Sequence, residues 1–101
     1  MVKVDLPLDR IMRICRKYGV AELSVFGSAV RDDFGPDSDV DFLYVLSPES
    51  TVAWEIVDLR DELAEAVGRE VDIVPKEYLH WVVRDRVLAE AEVVFSDAVA
   101  A

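Results

Sequence analysis

Apolar residues recur at a helical spacing of three and four positions in three stretches of the chain. In chain order these stripes are Leu8, Ile11, Met12 and Cys15, then Val52, Ile56, Leu59, Leu63 and Val67, and finally Val83, Val87, Leu88 and Ala91. Gly19 and Gly68 follow the first two stripes, and glycine readily adopts the left-handed conformation that ends a helix. Residues 47–51, just before the second stripe, include several types that cap helices. The pattern predicts three helices, the second beginning near residue 52.

Between these helices, shorter runs alternate apolar and polar residues or are continuously apolar, which is typical of strands. They cover residues 22–27, 39–46, 70–75 and 92–95. The run at 39–46 has apolar residues on both faces, as expected for an interior strand. A short helix is predicted over residues 28–32. The order α-β-(short helix)-β-α-β-α-β predicts an α/β or α+β fold, a small mixed sheet with helices packed on it.

The composition indicates one folded domain without a membrane-spanning segment. The chain has 101 residues, 52% of them hydrophobic, so it can bury a single core, and we expect one domain over residues 1–101. It contains no run of about 18 apolar residues without charge, and its first residues contain no hydrophobic signal core. Its single cysteine, Cys15, cannot form an intrachain disulfide. These features predict a cytoplasmic protein.

Acidic residues outnumber basic residues by 21 to 11, which gives a formal net charge of −10. A surface with this charge repels a phosphate backbone, so nucleic acid is disfavoured as a partner. The charge suits a partner with basic patches, or a site that collects cations.

Three aspartates lie in or beside predicted strands, where an uncompensated charge is expensive. Asp39 and Asp41 are two residues apart, so their side chains project from the same face of a strand. The sequence Val-Asp-Phe-Leu at 40–43 is echoed by Val-Asp-Ile-Val at 71–74, which gives Asp72 similar surroundings. If the two strands are neighbours, the three carboxylates converge. Hard oxygen ligands of this kind favour Mg²⁺ or Mn²⁺.

Other interpretations of these acids stay open. Taken singly, Asp39 and Asp41 could be solvated residues at a junction between loop and strand, and Asp72 could be an acid at a strand edge or a helix-capping group. A calcium-binding loop that starts at Asp37 fits poorly, because Phe42 occupies the position of the obligatory glycine. A zinc site would have only Cys15 and His80 to draw on, since the chain has one cysteine and one histidine.

Gly27 and Ser28 stand where the first strand is predicted to pass into the short helix. A glycine there lets a phosphate approach the backbone, the helix start offers free N–H groups, and the serine hydroxyl adds a donor. Arg31 follows three residues later and could meet a phosphate or pair with Asp33 or Asp37. A Gly-Ser pair alone is usually a turn, and the chain has no Walker-type Gly-Lys-Ser/Thr sequence.

The segment GSAVRDDFGPDSDVDFLYV, residues 27–45, resembles the nucleotidyltransferase motif of the polymerase β superfamily. The shared pattern is Gly-Ser, an arginine three residues after the serine, and Ser-Asp-x-Asp followed by apolar residues. The chain length, EVDIV after a helix and RDRVLAEAEVVF near the end are similar to the minimal nucleotidyltransferases in particular. The resemblance implies the polymerase β-like nucleotidyltransferase fold. One position departs from the pattern: Asp32 stands where many members have glycine, which brings negative charge near the phosphates.

The resemblance also implies roles for individual residues and a set of ligands. The residues expected to bind the nucleotide are Gly27, Ser28, Arg31 and Ser38. The residues expected to bind metal and to act in catalysis are Asp39, Asp41 and Asp72. Two Mg²⁺ ions are expected, with Mn²⁺ as a substitute, and ATP is the expected substrate. As the acid nearest the acceptor, Asp72 could also take up its proton.

By the same resemblance, the chain is expected to transfer a nucleoside monophosphate, AMP from ATP by preference, to an acceptor hydroxyl. The minimal family implies a helical HEPN toxin as the acceptor and partner, with this chain as its antitoxin. Two alternatives stay open: an antitoxin of the same fold that neutralises its partner by binding alone, and a structural α/β domain whose acids bind cations adventitiously. Association of the chain with itself into a homo-oligomer also stays open.

Overall fold

The computed structural model describes residues 5–31, 34–35, 37–50, 52–79 and 81–97, without the side chain of Val83. The described residues form three α-helices and four strands. The helices are α1 (Leu8–Tyr18), α2 (Ile56–Val67) and α3 (Trp81–Glu90). The strands are β1 (Val20–Phe26), β2 (Val40–Leu46), β3 (Val71–Pro75) and β4 (Glu92–Ser96). Short 3₁₀ turns follow β1 at Gly27–Val30 and β3 at Lys76–Tyr78.

The four strands form one mixed sheet in the order β3-β2-β1-β4. β2 pairs with β3 in parallel and with β1 antiparallel, and β4 pairs with β1 antiparallel. The parallel pair is joined through α2, since parallel neighbours need a crossover connection. β2 is an interior strand, as its apolar residues on both faces predicted. The mixed sheet with helices packed on it confirms the predicted fold class.

The core lies between the sheet and the helices α1 and α2, which contact each other. α1 also contacts β1 and β4, and α2 contacts β3. The largest fully buried side chains include Phe42, Ile11, Leu23, Leu43, Leu59 and Leu63. Removal of this apolar surface from water is the main force that stabilises the fold. Both helices end at the predicted glycines, where φ is +71° at Gly19 and +78° at Gly68.

The helices differ in detail from those predicted. α2 begins at Ile56 rather than near residue 52, and its N-cap residue makes no side-chain capping bond. Ser50, one of the capping residue types at 47–51, donates its hydroxyl to the carbonyl oxygen of Tyr18 at 2.9 Å, which ties the loop after β2 to the end of α1. Leu8, expected in a buried stripe, is 55% exposed, because the buried face of α1 begins at Ile11. The short helix predicted over residues 28–32 is the 3₁₀ turn at Gly27–Val30.

None of the helices in the described part of the chain combines the length and the apolar character needed to cross a membrane.

Candidate functional site

Gly27 packs directly against the carboxylate of Asp41. Phe26, the last residue of β1, is paired with Asp41 of β2, so the chain turns at Gly27 immediately beside this aspartate. The φ angle of Gly27 is +74°, and a Cβ placed on it would lie 2.5 Å from Oδ2 of Asp41. Any side chain at this position would strain the backbone and collide with the carboxylate. The packing of Asp41 therefore already requires a glycine here, before any ligand is considered.

Asp72 lies beside Asp41 on the neighbouring strand. The parallel register of β2 and β3 pairs Val40 with Val71 and Asp41 with Asp72, so the two Val-Asp-apolar sequences are aligned residue for residue. Aligned residues of adjacent strands are about 4.8 Å apart and project from the same face. The prediction that the two strands are neighbours, with both aspartates on one face, is confirmed.

The surroundings of Asp41 disfavour its negative charge. Its side chain is partly buried, and burial raises its pKa above the ordinary value for an aspartate. The negative charges of Asp72 and Asp39 raise the pKa further, and the positive charge of Arg31 lowers it by a smaller amount. Asp39 and Asp72 are themselves exposed. The three predicted acids thus interact electrostatically, with the most buried of them at the centre.

The carboxylate oxygens of these three aspartates are the donors that a hard divalent cation prefers. Within the ranges that the structure describes, no three Asp, Glu, His or Cys side chains are grouped closely enough to hold a metal ion by themselves. Mg²⁺ commonly takes one or two carboxylates and completes its coordination with water and substrate phosphates. The donor set therefore fits Mg²⁺ held together with a nucleotide. The convergence of all three acids on metal stays a prediction.

Arg31 connects this site to α3. Its Nη1 donates to Oε2 of Glu90 at 3.4 Å, and its charge is close enough to Asp41 to lower the pKa of that aspartate. Arg31 thus lies between an acid of α3 and the acids of the sheet. Of the residues named from the sequence near it, Asp32, which departs from the family pattern, and Asp33 lie outside the described residues.

The two serines of the motif take part in the backbone structure around the site. The carbonyl oxygen of Ser28 accepts a hydrogen bond from the N–H of Arg31 at 3.0 Å, which closes the 3₁₀ turn. Oγ of Ser38 accepts a hydrogen bond from the N–H of Gly35 at 2.9 Å, and the N–H of Ser38 donates to the carbonyl of Gly35 at 3.1 Å. Ser38 therefore shapes the loop before Asp39. The nucleotide-binding roles of both serines stay predictions.

Arg69 is a residue of this region that the sequence reasoning missed. Its Nη1 donates to the carbonyl oxygens of Gly35 at 3.0 Å and Ser38 at 3.1 Å. Its guanidinium lies over the ring of Phe34, 4.5 Å from the centroid. An arginine just before the Val-Asp sequence of β3 was visible in the sequence, but no local pattern indicates that it reaches a loop 34 and 31 residues earlier.

A groove of about 290 Å³ opens beside Asp72, between α2 and the start of β3. Its lining residues are Arg60, Asp61, Ala64, Glu70, Val71 and Asp72. β3 is an edge strand of the described sheet and Asp72 is exposed, so a group from outside the protein can approach this carboxylate.

Residues 8–94 match the family model described as a nucleotidyltransferase domain. The chain is 37% identical, over 82 residues, to a Methanocaldococcus jannaschii protein provisionally named a protein adenylyltransferase, and the match covers 81% of this chain and 87% of that protein. It is 38% identical, over 74 residues, to the protein adenylyltransferase MntA of Thermococcus cleftensis, with 73% of this chain and 74% of that protein covered.

The fold is also similar to that of a chain in a structure of the tri-AMPylated Shewanella oneidensis HEPN toxin in complex with an MNT antitoxin. The TM-score is 0.63, and the match covers 92% of this chain and 72% of that chain. The two sequences are 17% identical, so this likeness shows a shared fold.

Proposed function

This chain belongs to the nucleotidyltransferase domain family, and from that membership we propose that it is a Mg²⁺-dependent protein adenylyltransferase. The substrate is ATP, the acceptor is a hydroxyl group of a HEPN-type toxin, and the chain acts as the antitoxin of that toxin. The names of the two archaeal relatives support transfer of AMP to a protein. The AMP-modified HEPN toxin bound to an antitoxin of similar fold supports the class of acceptor.

The observation that carries this proposal is the environment of Asp41. The fold partly buries this carboxylate, places Asp72 beside it and keeps Asp39 close enough to raise its pKa. An acid whose pKa is raised by burial and by neighbouring carboxylates is a candidate functional group, because a charge kept against the preference of the fold needs a ligand to compensate it. A divalent cation with a nucleoside triphosphate supplies that compensation.

In this proposal the chain's own residues bind and orient the two substrates. Asp39 and Asp41 would hold the divalent cation, and Gly27, which carries no side chain, leaves room for the carboxylate of Asp41 beside the chain. Arg31 adds a positive charge near Asp41. A divalent cation held by Asp39 and Asp41 would supply positive charge that favours alignment of the acceptor oxygen with the α-phosphorus and departure of pyrophosphate.

The transfer step forms one bond and breaks another. The acceptor oxygen bonds to the α-phosphorus, the bond from the α-phosphorus to the oxygen that bridges to the β-phosphate breaks, and pyrophosphate leaves with that oxygen. Asp72 is the proposed acceptor of the hydroxyl proton, since it is exposed and lies next to Asp41 on the edge strand β3. A hydroxyl on a second protein can reach it there.

Binding without catalysis is the second candidate function, and one surface feature favours it. Tyr78, Trp81 and Val82, around the start of α3, are 76%, 79% and 61% exposed. Large exposed apolar and aromatic side chains close together are typical of protein interaction sites. The same surface would also serve an enzyme that must dock on a protein substrate, so it does not distinguish the two functions by itself.

The experiment that separates the two functions combines the protein with its purified HEPN-type partner, Mg²⁺ and each of the four nucleoside triphosphates. Intact-mass spectrometry of the partner should show the addition of AMP with ATP, and a parallel assay should show loss of the partner's toxicity. If no nucleotide produces a mass increase while binding alone silences the partner, the binding-only antitoxin is the correct account.

A further inference from the structure

We infer that Arg69 is a positioning residue that holds Asp39 where it can bind metal. The effect of Arg69 on AMP transfer rests on the proposed function, whereas its effect on the position of Asp39 rests on the hydrogen bonds around that aspartate. Arg69 acts through its contacts with Phe34, Gly35 and Ser38, described residues before Asp39 that are named here the aspartate loop.

The backbone of Asp39 is held on both sides by the two consecutive residues that precede β3. On one side, Arg69 donates to the carbonyl oxygen of Ser38 at 3.1 Å. On the other side, the N–H of Val40 donates to the carbonyl oxygen of Glu70 at 3.0 Å. Asp39 itself is exposed and precedes β2, so the regular pairing of the strands does not extend to it. These two hydrogen bonds therefore set its backbone relative to the strand that carries Asp72.

The other contacts of Arg69 give the aspartate loop its shape. The same Nη1 donates to the carbonyl of Gly35 at 3.0 Å, so one nitrogen bridges both ends of the turn between Gly35 and Ser38. The guanidinium plane also lies over the ring of Phe34, 4.5 Å from its centroid. A planar, delocalised cation can stack on a ring and donate to backbone carbonyls at the same time, whereas a lysine ammonium has no plane to stack.

A purely structural brace and a positioning residue predict different results. If Arg69 only stabilises the fold, its loss lowers the melting temperature and leaves the metal affinity of the folded molecules unchanged. If Arg69 positions Asp39, its loss weakens metal binding by folded molecules, and excess metal recovers the activity. Loss of a residue that orients a metal ligand typically lowers the metal affinity by about 10- to 100-fold.

The test measures Mn²⁺ binding by electron paramagnetic resonance in the presence of a non-hydrolysable ATP analogue, for the parent, Arg69→Lys and Arg69→Gln. Arg13→Gln is the matched control, since Arg13 is an exposed arginine of α1 that lines the groove between α1 and α2. We expect both Arg69 variants to bind Mn²⁺ about tenfold more weakly and Arg13→Gln to bind like the parent. The Mg²⁺ concentration for half-maximal AMP transfer should rise by a similar factor for the Arg69 variants. Excess Mg²⁺ should restore their rate but not that of Asp39→Asn.

Phe34→Leu keeps the test decisive if the Arg69 variants do not fold. It removes the ring beneath the guanidinium and leaves both carbonyl acceptors, so we expect Mn²⁺ binding to weaken by about threefold. The inference would be overturned if the folded molecules of both Arg69 variants and of Phe34→Leu bound Mn²⁺ with the affinity of the parent. If the parent transfers no nucleotide, the proposed function fails, and the Mn²⁺ titration alone still decides the role of Arg69.

Discussion

Glu62 and Asp41 show how differently one chain can treat the same charge. Glu62, on α2, accepts hydrogen bonds from the hydroxyl of Tyr18 and from Nζ of Lys17, the latter at 3.0 Å. The bond from Tyr18, followed by that from Lys17, lowers the pKa of Glu62. Asp41 is in the opposite situation, because burial and two neighbouring aspartates raise its pKa.

This difference separates an acid that serves the fold from an acid that the fold disfavours. The partners of Glu62 lie on α1, so its charge helps to join the two helices that cover the sheet. The charge of Asp41 makes the folded state less favourable unless something from outside compensates it. The chain has 21 acidic residues. Among them, an acid whose charge the fold disfavours is therefore a better candidate for function than an acid whose charge has stabilising partners.

The largest expected effect comes from removing the charges at the centre of the site. Asp39→Asn combined with Asp41→Asn should lower AMP transfer on the order of a thousandfold, because metal catalysis supplies several kcal/mol and fails without its ligands. Binding to the partner should stay within about tenfold, since most contacts in an interface contribute little affinity. Transfer is measured by the mass of the partner, and binding by a pull-down.

The matched control for this double variant removes two negative charges from α2, the helix that carries Glu62. Asp58→Asn with Glu62→Gln changes the net charge by the same amount, at two positions of α2. It should transfer AMP at close to the parental rate. If both double variants lose activity equally, net charge matters rather than the metal ligands. A parental rate from the Asp39/Asp41 variant would exclude these aspartates as the catalytic site.

The next effect concerns the glycine that packs on Asp41. Gly27→Ala should destabilise the fold by roughly 1–3 kcal/mol, because the residue has a positive φ and its new Cβ would lie 2.5 Å from the carboxylate. Gly68→Ala is the matched control, since Gly68 has a φ of +78° but nothing within 4 Å of its Cβ position. It should cost only the backbone strain, about 1 kcal/mol. Urea unfolding measures both.

A double-mutant cycle shows whether the carboxylate is the cause of the additional cost at Gly27. Asp41→Ala removes the colliding oxygen, so Gly27→Ala in that background should cost little more than Gly68→Ala does in the parent. Equal costs for Gly27→Ala in the parent and in the Asp41→Ala background would mean that the clash does not matter.

A smaller effect, unchanged or increased stability, is expected from Asp41→Asn alone. Because the pKa of Asp41 is raised in the folded state, the ionised form disfavours folding at neutral pH, and the variant should be as stable as the parent or more stable. As the pH falls through the raised pKa towards the ordinary value of 3.8, the parent should gain stability relative to the variant. Thermal melts across this range measure the difference.

Millimolar Mg²⁺ sharpens the same measurement. A ligand that binds only the folded state raises the melting temperature, so Mg²⁺ should raise that of the parent more than that of Asp41→Asn. Equal responses of the two proteins to Mg²⁺ would show that no specific site involves this carboxylate.

Local signals predicted most of the fold, and long-range contacts account for what they missed. The glycines at 19 and 68 end their helices as predicted, because a left-handed residue is a local requirement. The start of α2 was placed too early because Val52 continues the helical spacing of Ile56. In the structure, the hydroxyl of Ser50 donates to the carbonyl of Tyr18, a contact between distant segments that no periodicity reveals.

The candidate site likewise has a part that the sequence predicted and a part that only the structure shows. The repeated Val-Asp-apolar sequence was enough to expect Asp41 beside Asp72, and the register of β2 and β3 aligns the two sequences. The contacts of Arg31 with Glu90, 59 residues apart, and of Arg69 with Ser38, 31 residues apart, depend on how a helix and a loop pack against the sheet. Sequence spacing contains no information about such pairs, so these residues required the structure.

The smallest expected effect is on the compensated acid. Because the pKa of Glu62 is lowered in the folded state, its charge stabilises the protein above the ordinary value of 4.5, and this contribution is lost as the pH falls through the lowered pKa. Glu62→Gln should therefore lower the melting temperature at neutral pH, but by at most about 3 °C, since solvent and salt screen a partly exposed pair. Tyr18→Phe should reproduce part of this decrease, and neither variant should change AMP transfer. The sign is opposite to that of Asp41→Asn, so melts of the two variants at neutral pH test the comparison directly. If Glu62→Gln stabilises the protein or Asp41→Asn destabilises it, the distinction between an acid that serves the fold and an acid kept for a ligand does not hold in this chain.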